Sequence, residues 1–143
     1  MTPIAMALAA ALTSAGCLKP MPRVPAPEEW TEAKDQAGLV RNPIWLKRPE
    51  ARDFARNYPR QALSKENPDP GLAVLRCSVG SDGRMKDCRI LAERPIGEGF
   101  GAATLKLSEK FRMARQTATG ASTQGGHFDV VIRFATEDCP ERP

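Results

Sequence analysis

The sequence has little of what most enzymes use at their active sites. It contains one histidine, His127, among 143 residues, so neither a histidine-paired nucleophile nor a cluster of metal ligands is expected. Its four cysteines show no Cys-x-x-Cys spacing, which argues against zinc binding and thioredoxin-like redox chemistry. We therefore expect no enzymatic activity, no catalytic residues, no cofactor and no metal.

Long apolar runs and a strong excess of one charge are also missing. The 21 basic and 17 acidic residues are well mixed and sum to +4. No basic run is interleaved with aromatic residues, so the sequence does not predict a nucleic-acid partner. With 41% hydrophobic residues, the chain can build one modest core. Thirteen prolines and eleven glycines argue against an all-helical protein.

The first residues resemble an export signal. The apolar stretch from Ile4 to Leu12 is too short to span a bilayer and is followed by small residues, which predicts a signal peptide over 1–16. The segment Ser14-Ala15-Gly16-Cys17 resembles a bacterial lipobox, in which the cysteine is lipidated, although Ser14 stands where leucine is usual. Lipidation of Cys17 and ordinary secretion are the two alternatives, and both export the protein.

The segment Gly71–Leu91 predicts a β-hairpin, because apolar and polar residues alternate on both sides of Asp82-Gly83. A two-residue loop there would place Leu75 opposite Ile90, and Cys77 opposite Cys88 at a distance that allows a disulfide. A loop one residue longer would turn the cysteines to opposite faces, unless a second bulge restored the register. Export favours the disulfide, and two reduced core cysteines are the alternative.

The segments before the hairpin are punctuated by proline. Residues 17–42 predict an extended, mobile linker, with a short weak helix over Trp30–Leu39. Trp45 is expected to pack on the edge of the domain. Apolar residues at helical spacing predict one helical turn near Arg52, a break at Tyr58-Pro59 and a second short helix to Lys65.

After the hairpin, a glycine-rich connection leads to a helix predicted from Phe100 to about Met113. A final strand is predicted over 127–135, with alternate residues inward: Phe128, Val130, Ile132 and Phe134. The tail 137–143 is expected to be flexible. Its Cys139 is a free thiol, an intermolecular link or the partner of an unlipidated Cys17. Scattered carboxylates are interpreted as solvated charges, namely Glu93, Glu98 and Asp129.

The order of helix, strand, Asp-Gly turn, strand, helix and strand resembles the C-terminal domain of the TonB family of energy transducers. The family pattern reads Tyr-Pro-x-x-Ala, a Val-x-x-Asp-Gly-x-Val hairpin, an Ala-Ala-Leu helix and a final Ile-Arg-Phe strand. The matching pieces here are Tyr58-Pro59-Arg60-Gln61-Ala62, Gly71, Val79-Gly80-Ser81-Asp82-Gly83-Arg84-Met85, Cys88-Arg89-Ile90, Gly99-Phe100-Gly101-Ala102-Ala103, Phe111-Arg112-Met113 and Val131-Ile132-Arg133-Phe134.

The resemblance implies an α+β domain over 43–136, with a small antiparallel three-stranded sheet and helices packed on one face, as in TonB and TolA. It implies the periplasm of a Gram-negative bacterium, with a membrane tether if Cys17 is lipidated. In TonB, this domain captures a short peptide of an outer-membrane receptor as an added strand. Carried over by position, the peptide-binding edge comprises His127, Asp129, Val131 and Arg133, with Tyr58 and Gln61 close by.

Two functions follow from this resemblance. The first is binding an extended peptide of an outer-membrane receptor or other envelope protein, accessory to transport. The second is a structural envelope lipoprotein or homodimer that pairs through the same edge. The polar residues His127, Asp129 and Arg133 could equally serve only to keep the strand soluble. TonB proteins have a transmembrane anchor and a long spacer, whereas this leader and spacer are short, so we do not expect energy transduction by the chain itself.

Overall fold

The computed structural model describes residues 19–66 and 68–135, whose main sheet is covered on both faces. The leader, Cys17, the tail and Cys139 lie outside the described residues. After a 3₁₀ turn at Pro27–Glu29, the elements are β1 (Trp45–Lys47), α1 (Ala51–Asn57), α2 (Arg60–Leu63), β2 (Gly71–Val79), β3 (Met85–Arg94), α3 (Phe100–Ser108), β4 (Arg112–Met113) and β5 (His127–Phe134).

The main sheet has three antiparallel strands in the order β3-β2-β5. β5 pairs with β2 without a register shift, from Gly71 opposite Phe134 to Ser78 opposite His127. A second, two-stranded sheet joins β1 to β4. The predicted α+β class is confirmed, and so are the break between α1 and α2 and the final strand.

The hairpin has the loop that is one residue longer, and a second bulge restores the register of the two strands. Gly83 donates to the Gly80 carbonyl oxygen at 3.0 Å and has a φ of +79°, so Val79 pairs with Met85. A second register shift follows between Arg76 and Ser78 and restores Leu75 opposite Ile90. The two-residue loop was therefore wrong, while the alternative with a compensating bulge is confirmed. The predicted disulfide joins Cys77 to Cys88.

All three α-helices pack on one face of the sheet, where the main core lies. Phe100 of α3 and Phe134 of β5 are fully buried, and their ring centroids are 5.7 Å apart. Tyr58, between α1 and α2, packs on both rings. Burying a large apolar side chain contributes roughly 1.5–3 kcal/mol. The other core residues here include Ala62, Leu75, Val79, Ala103, Leu107, Val130 and Ile132.

α3 ends at Ser108, five residues before the predicted end at Met113. The next residues turn back, and Arg112–Met113 pair with β1 as β4. Met113 donates its N–H to the Gly83 carbonyl oxygen at 2.8 Å. Phe111 packs against Trp45, with ring centroids 5.1 Å apart. These long-range contacts outweigh the local helical pattern, because propensity differences amount to less than about 1 kcal/mol per residue.

The N-terminal segment covers the other face of the sheet instead of forming a mobile linker. Val24 and Trp30 pack against Val74, Leu91 and Ala92 of β2 and β3. Thr31 donates its N–H to the Leu91 carbonyl oxygen at 2.9 Å. In the described part of this segment, the only helical element is the 3₁₀ turn at Pro27–Glu29. The helix predicted over Trp30–Leu39 is therefore wrong. The prolines hold the backbone extended, which lets it lie along the sheet.

Because both faces are covered, β2 is buried along nearly its whole length. Alternation of apolar and polar residues is typical of a strand with one buried face, yet Arg76, one of the polar residues of that pattern, is 6% exposed. Within the described residues, no helix is long and apolar enough to cross a membrane.

Candidate functional site

One side of strand β5 faces away from β2. At its start, His127 donates its N–H to the Gly38 carbonyl oxygen and accepts from the Val40 N–H, both at 2.9 Å. Backbone groups of an antiparallel strand alternate in direction, so those of Asp129, Val131 and Arg133 also point outward. No strand of the described chain pairs with these three residues. We call their backbone groups the outer edge.

A groove with a volume of about 560 Å³ runs along this outer edge. One side of it is strand β5 from residue 128 to residue 133. The aromatic side chains of the groove form an aromatic wall, contributed by β1, α1, the residue before β4 and the start of β5. Trp45 contacts the rings of Phe111 and Phe128 edge-on, at centroid distances of 5.1 and 5.3 Å. The aromatic wall comprises Trp45, Phe54, Phe111 and Phe128.

The lining of the groove carries two arginines and one carboxylate, and that carboxylate is already paired. Asp129 accepts two hydrogen bonds from Arg76, from Nε at 2.8 Å and from Nη2 at 3.1 Å. This hydrogen-bonded carboxylate raises the pKa of Arg76 above its usual value. The other charged residues of the lining are Arg48 and Arg133. Both are exposed, and neither forms an ion pair within the described residues.

The Arg76–Asp129 pair also binds the N-terminal segment to the sheet. Arg76 donates to the Ala33 carbonyl oxygen at 3.0 Å, and its Nη1 lies 3.6 Å from a Glu32 carboxylate oxygen. Glu32 in turn accepts two hydrogen bonds from Arg89 of β3, at 2.5 and 2.8 Å. The pair therefore joins the central strand, the edge strand and the covering segment.

The structure brings together three of the six residues predicted for the edge. Asp129, Val131 and Arg133 line the groove. The outward backbone groups of His127 are bonded to 38–40, and its Nε2 lies 3.1 Å from the Asp35 carbonyl oxygen. Tyr58 and Gln61 do not line the groove.

Tyr58 is instead held within the fold by ring contacts and a hydrogen bond. Its hydroxyl donates to the Asp69 carbonyl oxygen at 2.5 Å. Burial, together with the nearby carboxylates of Asp69 and Glu98, raises its pKa to about 12. The side chain of Asp69 pairs with Lys19 and Lys65, and those hydrogen bonds hold the pKa of Asp69 well below its usual value.

The interpretation of three carboxylates as solvated charges is wrong. Asp129 pairs with Arg76. Glu93 accepts the Gly101 N–H at 2.6 Å and so caps the first turn of α3, where a negative charge is favourable. Glu98 pairs with Lys65, and its side chain is 15% exposed.

The aromatic wall and Arg48 were not among the residues predicted for the site. Phe54, Phe111 and Phe128 sit at positions whose periodicity marks them as core, and Trp45 was predicted to pack on the domain edge. Periodicity could not show that these rings line a groove beside β5, because their position depends on the pairing of β1 with β4. No group of three or more histidine, cysteine or acidic side chains in the described ranges is placed to hold a metal.

Comparisons with known proteins add no family to this geometry. Neither the protein-family models nor the curated protein sequences include a match to the chain.

Proposed function

We propose that this protein is a periplasmic, TonB-like peptide-binding module. It recognises an extended segment of an outer-membrane receptor or other envelope protein by β-strand addition, as an accessory to transport. The observation that carries the proposal is an outer edge that no described strand pairs with, directly beside an aromatic groove. In strand addition, edge N–H and C=O groups bind the backbone of the peptide, and neighbouring pockets select its side chains.

The geometry limits the length of the added strand. Gly38–Val40 bond to His127 and close the edge at that end. The outer edge then runs from Asp129 to Arg133, a span of about 13 Å at roughly 3.3 Å per residue. A segment of about five residues would fill it. Such a segment buries less than the roughly 1,200 Å² of a stable interface, so we expect weak, reversible binding.

The α+β class and the order of the elements support the TonB-like part of the proposal. The export signal predicted over 1–16 and the disulfide Cys77–Cys88 support the periplasmic location, since disulfides persist in oxidising compartments. If Cys17 is lipidated, the module is tethered to a membrane.

The test is to block one backbone donor of the outer edge. Val131→Pro removes the outward N–H at the centre of the edge, a place where an edge strand tolerates proline. Val131→Ala is the matched control, because it keeps that N–H and removes the same side chain. The ligand probe is a pool of peptides from the periplasmic plug segments of outer-membrane receptors, followed by amide chemical shifts.

We expect the wild type and Val131→Ala to show shifts confined to residues 128–134, and Val131→Pro to show none while its far-ultraviolet circular dichroism is unchanged. Absence of shifts in the wild type at millimolar peptide would overturn the proposal. Equal binding by Val131→Pro would also overturn it, because the edge would then not be the site.

A second candidate is the structural envelope lipoprotein or homodimer, which one observation favours. If two copies pair antiparallel about Val131, Arg133 of each copy lies directly opposite Asp129 of the other, and opposite charges in such pairs are stabilising. Sedimentation equilibrium at low micromolar concentration tests this arrangement. A dimer that Arg133→Glu dissociates would favour the structural function, and a monomer would exclude it.

A further inference from the structure

We infer that the groove selects an extended segment that carries an acidic residue opposite Arg133 and apolar residues at the two positions facing the aromatic wall. The inference rests on the proposed strand addition and adds the chemical class of the segment. Two independent observations carry it, namely the direction of the side chains along β5 and the charge of Arg133, which has no ion-pair partner among the described residues.

The direction of the side chains sets the apolar positions. Val130 and Ile132 face the helical side of the sheet and are buried there. The aromatic wall packs against that same core. Residues directly opposite each other in a sheet share a face, so the residues of an added strand opposite Val130 and Ile132 point toward the aromatic wall. Apolar side chains fit there, because a charged group would lose its hydration against the rings.

The charge of the outer edge sets the acidic position. The side chain of Asp129 is 12% exposed and held by Arg76, so it does not offset the charge of Arg133 on its own face of β5, to which Arg48 of the groove lining adds. Arg133 alternates with Ile132, so its side chain lies on the opposite face from the aromatic wall. The residue opposite Arg133 in an added strand lies on that face too. An aspartate or glutamate there completes the ion pair that Arg133 lacks among the described residues.

The probes are four acetylated, amidated five-residue peptides that differ in charge and in its position. Asp-Val-Thr-Val-Thr and Thr-Val-Thr-Val-Asp place the acid opposite Arg133 in one strand direction or the other. The two counterparts carry asparagine in place of aspartate. Affinities are measured by chemical-shift titration at about 50 mM salt.

An exposed ion pair contributes about 0.2–1 kcal/mol, so we expect one acidic peptide to bind about 1.4- to fivefold more tightly than its asparagine counterpart. Arg133→Gln should abolish the preference and Arg48→Gln should reduce it. The control Arg60→Gln, an exposed arginine of α2 outside the groove lining, should leave it unchanged. Raising the salt to about 0.5 M should weaken it by screening.

The outcomes separate this inference from the proposed function. If all four peptides bind equally and Arg133→Gln changes nothing, charge selection is refuted while strand addition stands. If the Arg60→Gln variant loses the preference as well, the effect is one of overall charge and the inference is refuted. If none of the peptides binds the wild type, or all bind Val131→Pro equally, strand addition itself fails, and this inference fails with it.

Discussion

Removing the carboxylate of Asp129 should destabilise the protein more than its place on an edge strand suggests. The Arg76 side chain is 7% exposed, and Asp129 binds it through two hydrogen bonds of 2.8 and 3.1 Å. In Asp129→Ala, the buried guanidinium keeps one backbone acceptor and Glu32 at 3.6 Å. Breaking a buried pair by removing one partner typically costs 3–5 kcal/mol. Because Glu32 compensates in part, we expect about 3 kcal/mol, a large share of the roughly 5–15 kcal/mol of a typical domain.

The assay is urea unfolding at pH 7, followed by circular dichroism and tryptophan fluorescence. The double variant Arg76→Met with Asp129→Leu removes both charges and keeps apolar volume, so it should cost less than about 1 kcal/mol. The control Arg133→Ala, at an exposed position of the same strand, should stay within about 0.5 kcal/mol of the wild type. If Asp129→Ala costs less than 1 kcal/mol, or the double variant costs as much as the single one, the structural importance of this pair is refuted.

Two further predictions concern the disulfide and the ion pairs of Asp69 with Lys19 and Lys65. The disulfide closes a loop with a sequence separation of 11 residues, so replacing Cys77 and Cys88 by alanine should lower the free energy of unfolding by about 3 kcal/mol. Reductant should reproduce that loss in the wild type and have little effect on the double variant, and a double variant as stable as the wild type would contradict it. The hydrogen bonds from Lys19 and Lys65 lower the pKa of Asp69, so its stabilisation is present above the unfolded pKa of about 3.9 and is lost as the pH falls further. The difference in free energy of unfolding between the wild type and Asp69→Asn should therefore shrink from about pH 4 to pH 2, whereas a constant difference would contradict the ion pairing.

The hairpin shows how far local sequence rules reach. Alternation around Asp82-Gly83 predicted the two strands, and the two facing cysteines favoured a register that the structure restores through a second bulge. The loop length was not decided locally, because Asp-Gly suits both a two-residue turn and a longer loop with glycine at positive φ. In the structure, the Gly83 carbonyl oxygen accepts the Met113 N–H, a contact between residues far apart in sequence.

The candidate site was predictable to a smaller extent than the strand that carries it. The alternation of β5 placed Asp129, Val131 and Arg133 together on one face. It could not show that Asp129 is paired with Arg76, or that His127 is bonded to 38–40, because both contacts join distant segments. The aromatic wall was missed for the same reason, since the pairing of β1 with β4 places Trp45 and Phe111 next to the edge.

The sequence by itself determined the elements whose causes lie within a few residues. Tyr58-Pro59 separated two short helices, Asp82-Gly83 turned the chain, and period-two alternation made β2 and β5 strands. Only the tertiary structure decided what covers each face of the sheet. Proline-rich residues that indicate a linker by composition pack through Val24 and Trp30 on the second face and bury Arg76. Composition and periodicity describe what a segment can bury, whereas the surface that it meets depends on the rest of the chain.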